Sequence, residues 1–222
     1  NRAIQRMLQG TDWPLALEPE LICITDEDKL KRDRAILSTF LDRPTGSLLD
    51  YTLDGDHFAK EAIKTGLSAT ATSDLKSMSG TFDIILMYDV LDHIENPVEQ
   101  LQQAKLLLSP NGVIVIRNHP WCSRHGAHLH SVNKAFAHLL LNESDFQTST
   151  KQKIFYPRST YHRWFNQSDL EIAKERTIKQ EVEPFFKTEP LSSKLCQIYN
   201  TDQFPAYQLS QVYCDYTLKQ KG

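Results

Sequence analysis

The chain has 222 residues, of which 40% are hydrophobic and 24% charged, with a net charge of −3. That balance excludes a disordered segment, and no apolar run approaches the ~20 residues of a membrane-spanning helix. The length suits one domain with a substantial core, and four scattered cysteines without a CxxC pair (Cys23, Cys122, Cys196, Cys214) exclude a disulfide scaffold.

Reduced thiols of this kind fit a cytoplasmic setting. The first residue is Asn1 and no signal-peptide pattern follows, so the expectation is a chain cut from a larger protein or assembly.

Residues 1–24 read as an irregular segment with a short helix over Arg2–Gln9, punctuated by Gly10, Pro14 and Pro19. From 25 to 222 a single α/β domain is expected. Thr25-Asp26-Glu27-Asp28 starts a helix whose apolar stripe is Leu30, Ile36, Leu37, Phe40 and Leu41. Ser47–Tyr51 reads as a strand, Asp56–Thr65 as a helix closed by Gly66, and Leu67–Thr72 as a weaker strand. Phe82–Tyr88 is almost continuously apolar, as a strand buried on both faces must be. Asn96-Pro97 opens a helix with proline at its first position. Ser109-Pro110-Asn111-Gly112 reads as a turn and Val113–Arg117 as the next strand. Strand–helix–strand alternation implies right-handed crossovers and a doubly wound, mostly parallel sheet with helices on both faces. Beyond Arg117, helical segments are expected at Ala135–Leu141 and Ser159–Asn166. Strands follow at Ile172–Ile178 and, closing the chain, at Gln211–Leu218. Residues 118–166 form an insertion at the strand ends.

Charge is uneven. Between Val113 and Trp164 seven Lys/Arg face only two acids, Glu143 and Asp145, and six of the eight histidines fall there. Such an excess suits an anionic small molecule or nucleic acid. A solvated face balanced by acids elsewhere is the plainer reading.

Three stretches carry a family likeness: Leu49–Phe58, Phe82–Pro97 (Phe-Asp-Ile-Ile-Leu-Met-Tyr-Asp-Val-Leu-Asp-His-Ile-Glu-Asn-Pro), and Ser109–Arg117. Together they resemble the class I S-adenosylmethionine-dependent methyltransferases. The resemblance implies a Rossmann-like sheet ending in an antiparallel strand and S-adenosylmethionine as cofactor. It also implies a cofactor loop after the first strand, here Asp50, Thr52, Asp54 and Gly55, with Asp74 after the second strand and Asp89 after Phe82–Tyr88. The family's loop carries three glycines for close backbone approach. Here those positions are Thr52, Asp54 and Asp56, and Gly55 is out of register. Strand two lacks its terminal acid until Asp74, and only ~30 residues separate the first strand from Phe82, so one βα unit is expected to be shortened or missing.

Ligands in such sheets bind outside the carboxyl ends of the strands. Asn118, His119, Trp121, Arg124, His125 and His128 leave the sheet there. His119 or His125 are candidate bases, and Trp121, Arg124, Asn118 and His128 candidate binders of an anionic acceptor. Asp92-His93 is a second acid–base pair. Cys122, His125, His128 and His130 have ligand chemistry but match no zinc spacing, so no metal is assigned. Equally, these histidines and Trp121 fit a structural role, as does the aromatic group Tyr156, Tyr161, His162, Arg163 and Trp164. Two functions remain open. One is a methyltransferase acting on a small or nucleotide-like, anionic acceptor. The other is a methyltransferase-like interaction domain that no longer binds cofactor.

Overall fold

Apolar runs alternating with amphipathic segments place strands inside and helices outside. The computed structural model describes this arrangement over residues 46–53, 55–118, 120, 156, 158–179 and 211–222. The expected helices at 2–9, 25–41 and 135–141 lie outside the described residues. By internal contacts the chain divides into two compact units: 1–23 with 119–157 and 177–214, and 24–118 with 158–176 and 215–222. The parallel strands and the helices below belong to the second.

The elements in order are β1 (Ser47–Tyr51), α1 (His57–Lys64), β2 (Ser68–Thr72), a 3-10 turn (Leu75–Ser77), and β3 (Phe82–Tyr88). Then come α2 (Pro97–Leu106), β4 (Leu108–Asn118), α3 (Arg158–Gln167), β5 (Leu170–Lys179) and β6 (Gln211–Gln220). One sheet has the order β2-β1-β3-β4-β6-β5. Strand β1 is parallel to β2 and β3, and β3 to β4. The sheet is mixed, and the closing strand is antiparallel. The shortened unit is real: the nine residues between β2 and β3 hold only the 3-10 turn, too few for a helix and a returning strand.

The chain steps from β1 to β2 in one direction and from β3 to β4 in the other. Right-handed crossovers therefore place α1 and α2 on opposite faces. On the α1 face Phe58, Ala62 and Leu67 pack with Leu48, Ile84, Leu86 and Val115. The alternate residues Leu49, Ile85, Met87, Ile114 and Ile116 are buried as well, which explains why these strands read as unbroken apolar runs. Burying one such side chain is worth about 1.5–3 kcal/mol, so these layers dominate the fold's stability.

One boundary differs. The tetrapeptide Ser109-Pro110-Asn111-Gly112, expected as a turn, lies inside β4. Leu108 pairs with Phe82 while Val113 already pairs with Ile84, so the intervening residues bulge outward. Gly112 is required there, because a Cβ would sit 2.8 Å from the Phe82 carbonyl oxygen.

Candidate functional site

Strand order reverses between β1 and β3, and in open α/β sheets ligands bind at the carboxyl ends of the strands at such a point. The register brings four ends level: Tyr51 with Thr72, Asp50 with Leu86, and Tyr88 with Arg117. Thr52, Asp74, Asp89 and Asn118 therefore come to one edge of the sheet, as the sequence indicates.

Asp50 is 1% exposed, and its Oδ2 accepts the Ala59 amide N–H at 3.1 Å. The residue at the N-cap of α1, Asp56, makes no side-chain cap bond. Asp50 thus satisfies an amide at the start of α1 from the neighbouring strand and places negative charge at the positive end of the helix. The Asp56 carboxylate is instead ion-paired with Lys60, one turn along, at 2.8 Å. Its charge is offset there. The loop leaves β1 with the Thr52 amide bonded to the Thr72 carbonyl at 2.9 Å. It turns at Gly55, whose φ of +83° lies in the region where side chains are strained. A Cβ on Gly55 would meet nothing within 4 Å, so this glycine serves backbone conformation rather than close packing.

Asp74 ends the β2 side. Its Oδ1 accepts the Lys76 amide at 3.0 Å and its own amide donates to Thr72 Oγ1 at 3.0 Å, which starts the 3-10 turn. Burial first, and the Asp74 charge second, push the Tyr51 phenol above its ordinary value. Tyr51, at the end of β1, therefore senses the Asp74 carboxylate.

The β3–β4 side is polar and enclosed. Asp89 ends β3 at φ +50°, an uncommon conformation that Asp tolerates better than most residues, and its amide donates to the Arg117 carbonyl at 2.8 Å. Asp92 is 3% exposed, and His93 Nε2 lies 3.9 Å from Asp92 Oδ2, with 18% of the His93 side chain exposed. Asn118 and Tyr161 are fully buried. Burial raises the Tyr161 phenol well above its usual value, and the Asp92 charge raises it further. The neighbouring Asn118 side chain acts the other way. Tyr161 reaches this cluster because α3 buries Tyr161, Trp164 and Phe165, with Tyr161 and Trp164 edge-to-face at 5.2 Å. The expected packing of that aromatic face is borne out, but its hydroxyl is part of the strand-end cluster, which residue spacing alone did not reveal.

A second cluster lies on the α1 face. Arg117 grips Asp215 through Nε at 2.5 Å and Nη2 at 2.7 Å, and Arg176 binds the same carboxylate at 3.0 and 2.7 Å. The Arg117 guanidinium also lies 5.5 Å from the Tyr88 ring centroid. Burial lowers its basicity, but the Asp215 and Tyr88 contacts outweigh this and leave it above the ordinary arginine value. Arg158 pairs with Glu175, at 2.7 Å from Nε. Two of the seven cations in the basic stretch therefore balance acids of the fold, while Arg163 is exposed. The sequence signal missed was Asp215, a charge inside an otherwise apolar strand.

Of the sequence-derived candidates, Asp50, Thr52, Gly55, Asp74, Asp89, Asp92, His93 and Asn118 come to the strand-end edge. Asp54, His119, Trp121, Arg124, His125 and His128 lie outside the described residues. Among the described residues no helix is long and apolar enough to cross a membrane.

Residues 28–175, more than half of the chain, match the family described as "Methyltransferase domain". A ubiquinone biosynthesis O-methyltransferase from Caulobacter sp. (strain K31) is 33% identical over 61 residues. That stretch is 27% of this chain and 24% of that enzyme, so the match spans about a quarter of the relative's length. Among solved structures, mycolic acid cyclopropane synthase CmaA1 with SAH and CTAB superposes at TM-score 0.56 and 11% identity, covering 99% of this chain and 94% of its own. Coclaurine N-methyltransferase with N-methylheliamine and SAH gives 0.50 at 13%, covering 98% and 78%. The [4+2]-cyclase SpnF gives 0.52 at 8%, covering 99% and 92%. At such identities the likeness is one of fold, and a cyclase among them means the fold alone does not fix the reaction.

Proposed function

This chain belongs to the methyltransferase domain family, and from that premise we propose that it moves a methyl group from S-adenosylmethionine to a small, anionic acceptor. The observation that carries the reading is the set of carboxylates at the ends of adjacent strands: Asp50 on β1, Asp74 after β2 and Asp89 after β3. This donor set fits the cofactor's chemistry, since ribose hydroxyls and an ammonium donate hydrogen bonds and the sulfonium is positive. Asp74 and Asp89 would hold those groups, and Asp50 would fix the loop and helix beside them. The ion pair between Asp56 and Lys60 supports the fit, because it offsets one of the two extra charges that replace the loop's glycines.

When bound, S-adenosylmethionine supplies a methyl on a positive sulfur that leaves as a neutral thioether. The chain's own residues align the acceptor and take its proton. His93 is the base at the enclosed side of the edge, because part of its ring is exposed. Asp92, buried behind it, stabilises the imidazolium that results. Asn118 and Tyr161 hold the wall of the acceptor site. Small-molecule acceptors are favoured by the names of related proteins, such as an enzyme bound to N-methylheliamine.

The test is transfer of radiolabelled methyl from S-adenosylmethionine to a panel of small hydroxylated and amino acids. Label should enter at least one acceptor and be lost in His93→Gln. Label entering none, in protein shown to bind the cofactor, refutes the acceptor assignment. A non-catalytic interaction domain is the second reading, favoured by the missing loop glycines at Thr52 and Asp56.

A further inference from the structure

Where the missing βα unit would continue the sheet, β2 is the outer strand of the described sheet. We infer that β2 is a self-association edge at which a second copy of this chain pairs antiparallel, joining two sheets across a two-fold axis.

The hydrogen-bonding phase is fixed by two bonds. The Ser68 amide donates to Gly46 and the Thr72 carbonyl accepts from Thr52, both at 2.9 Å. Ser68, Thr70 and Thr72 therefore direct their backbone groups toward β1. By strand alternation, Ala69 and Ala71 direct theirs outward. Ser68 and Thr70 are exposed, while Ala69 packs against the α1-face core.

The two sheet edges differ in how they are defended. Strand β5 carries Glu171, Lys174, Glu175 and Arg176, the charge pattern that blocks edge pairing. Strand β2 is Ser-Ala-Thr-Ala-Thr, with no charge, no proline and no large side chain. An identical strand is a suitable occupant, because two-fold pairing sets like residues close together and this strand opposes no like charges. Of the two-fold registers this phase allows, the one that pairs all five residues of the strand sets the two alanines opposite each other. Ala69 exchanges bonds with Ala71 of the second copy, Thr70 faces Thr70 on the axis, and Ser68 faces Thr72. Ser/Thr cross-strand pairs of this kind are favourable. The joined edges satisfy each other's outward amides, as expected of an isologous contact.

The experiment is sedimentation of the full chain over a dilution series, with a cysteine scan of β2. The unaltered chain should show a concentration-dependent dimer. Thr70→Lys, which sets two ammonium groups face to face on the axis, should be monomeric, with the melting temperature of the unaltered chain at dilutions where that chain is also monomeric. Thr70→Cys occupies the closely spaced, non-hydrogen-bonded pair and should form a disulfide dimer on mild oxidation. Ser68→Cys, facing Thr72, should not exceed the unaltered chain. A monomer at every concentration overturns the inference, as would a dimer that survives Thr70→Lys or equal cross-linking of the two cysteine variants. Binding of an unrelated extended peptide in place of self-pairing would also overturn it.

Discussion

Asp215→Asn isolates the electrostatics of the buried ion cluster. The substitution preserves volume, so no cavity forms, and the loss is that of a carboxylate facing two guanidinium groups. Arg117 has a side chain 3% exposed and cannot return to water, whereas Arg176 is 34% exposed and can rehydrate. The cost therefore falls on Arg117. Breaking one partner from a buried pair costs about 3–5 kcal/mol, a large part of the 5–15 kcal/mol that stabilises a typical domain. At about 2–4 °C per kcal/mol for a chain of this size, the melting temperature should fall by roughly 6–20 °C. Differential scanning calorimetry and urea titration read both quantities. The double change Arg117→Met with Asp215→Leu removes both charges and should recover most of the loss. A fall of less than about 1 kcal/mol for Asp215→Asn, the scale of a surface pair, would refute the assignment of a buried Arg117 charge held by Asp215.

Asp50→Ala removes a charge-assisted bond to the α1 amide and should cost about 1.5–3 kcal/mol by chemical denaturation, while weakening binding of S-adenosylhomocysteine. Gly55→Ala places a side chain at φ +83° with open space around it, so a purely conformational cost of about 1–2 kcal/mol should appear in the melting curve. Tyr161→Phe tests the raised phenol. The folded Tyr161 keeps its proton at a pH where the unfolded one loses it, so stability is complete below about pH 10 and declines above. That decline, about 1.4 kcal/mol per pH unit for one group, should become shallower in Tyr161→Phe when denaturation is followed at alkaline pH. Tyr51, also raised, keeps part of the slope. Equal slopes in the two proteins would contradict a raised Tyr161 phenol.

Periodicity revealed the strands and helices of the sheet because burial on both faces leaves an unmistakable apolar run in Phe82–Tyr88 and a proline start at Pro97. The missing βα unit was legible too, since chain length between β1 and β3 is a hard limit on what can fit. The extension of β4 back to Leu108 was not legible. Pro110 and Gly112 are turn residues by type, and only pairing with Phe82 shows that they form a bulge. At the strand ends, Asp50, Asp74 and Asp89 lie where their motif positions indicate. The Tyr161–Asn118 contact and the Arg117–Asp215–Arg176 cluster join residues 39 to 98 positions apart, and no local pattern encodes such distances. Asp54 and Asp56, standing at glycine positions of the family's loop, add two carboxylates beside the cofactor's own. Lys60 offsets the charge of Asp56, a compensation that appears only when α1 is built.

Titration of the purified chain with S-adenosylhomocysteine in a calorimeter probes the strand-end carboxylates most directly. Saturable binding at one site per chain, with a rise in melting temperature that grows with ligand concentration and is reduced in Asp74→Asn and Asp89→Asn, is the expected result. No heat and no thermal shift at ligand concentrations of about a hundred micromolar would contradict a cofactor site at the ends of β1, β2 and β3.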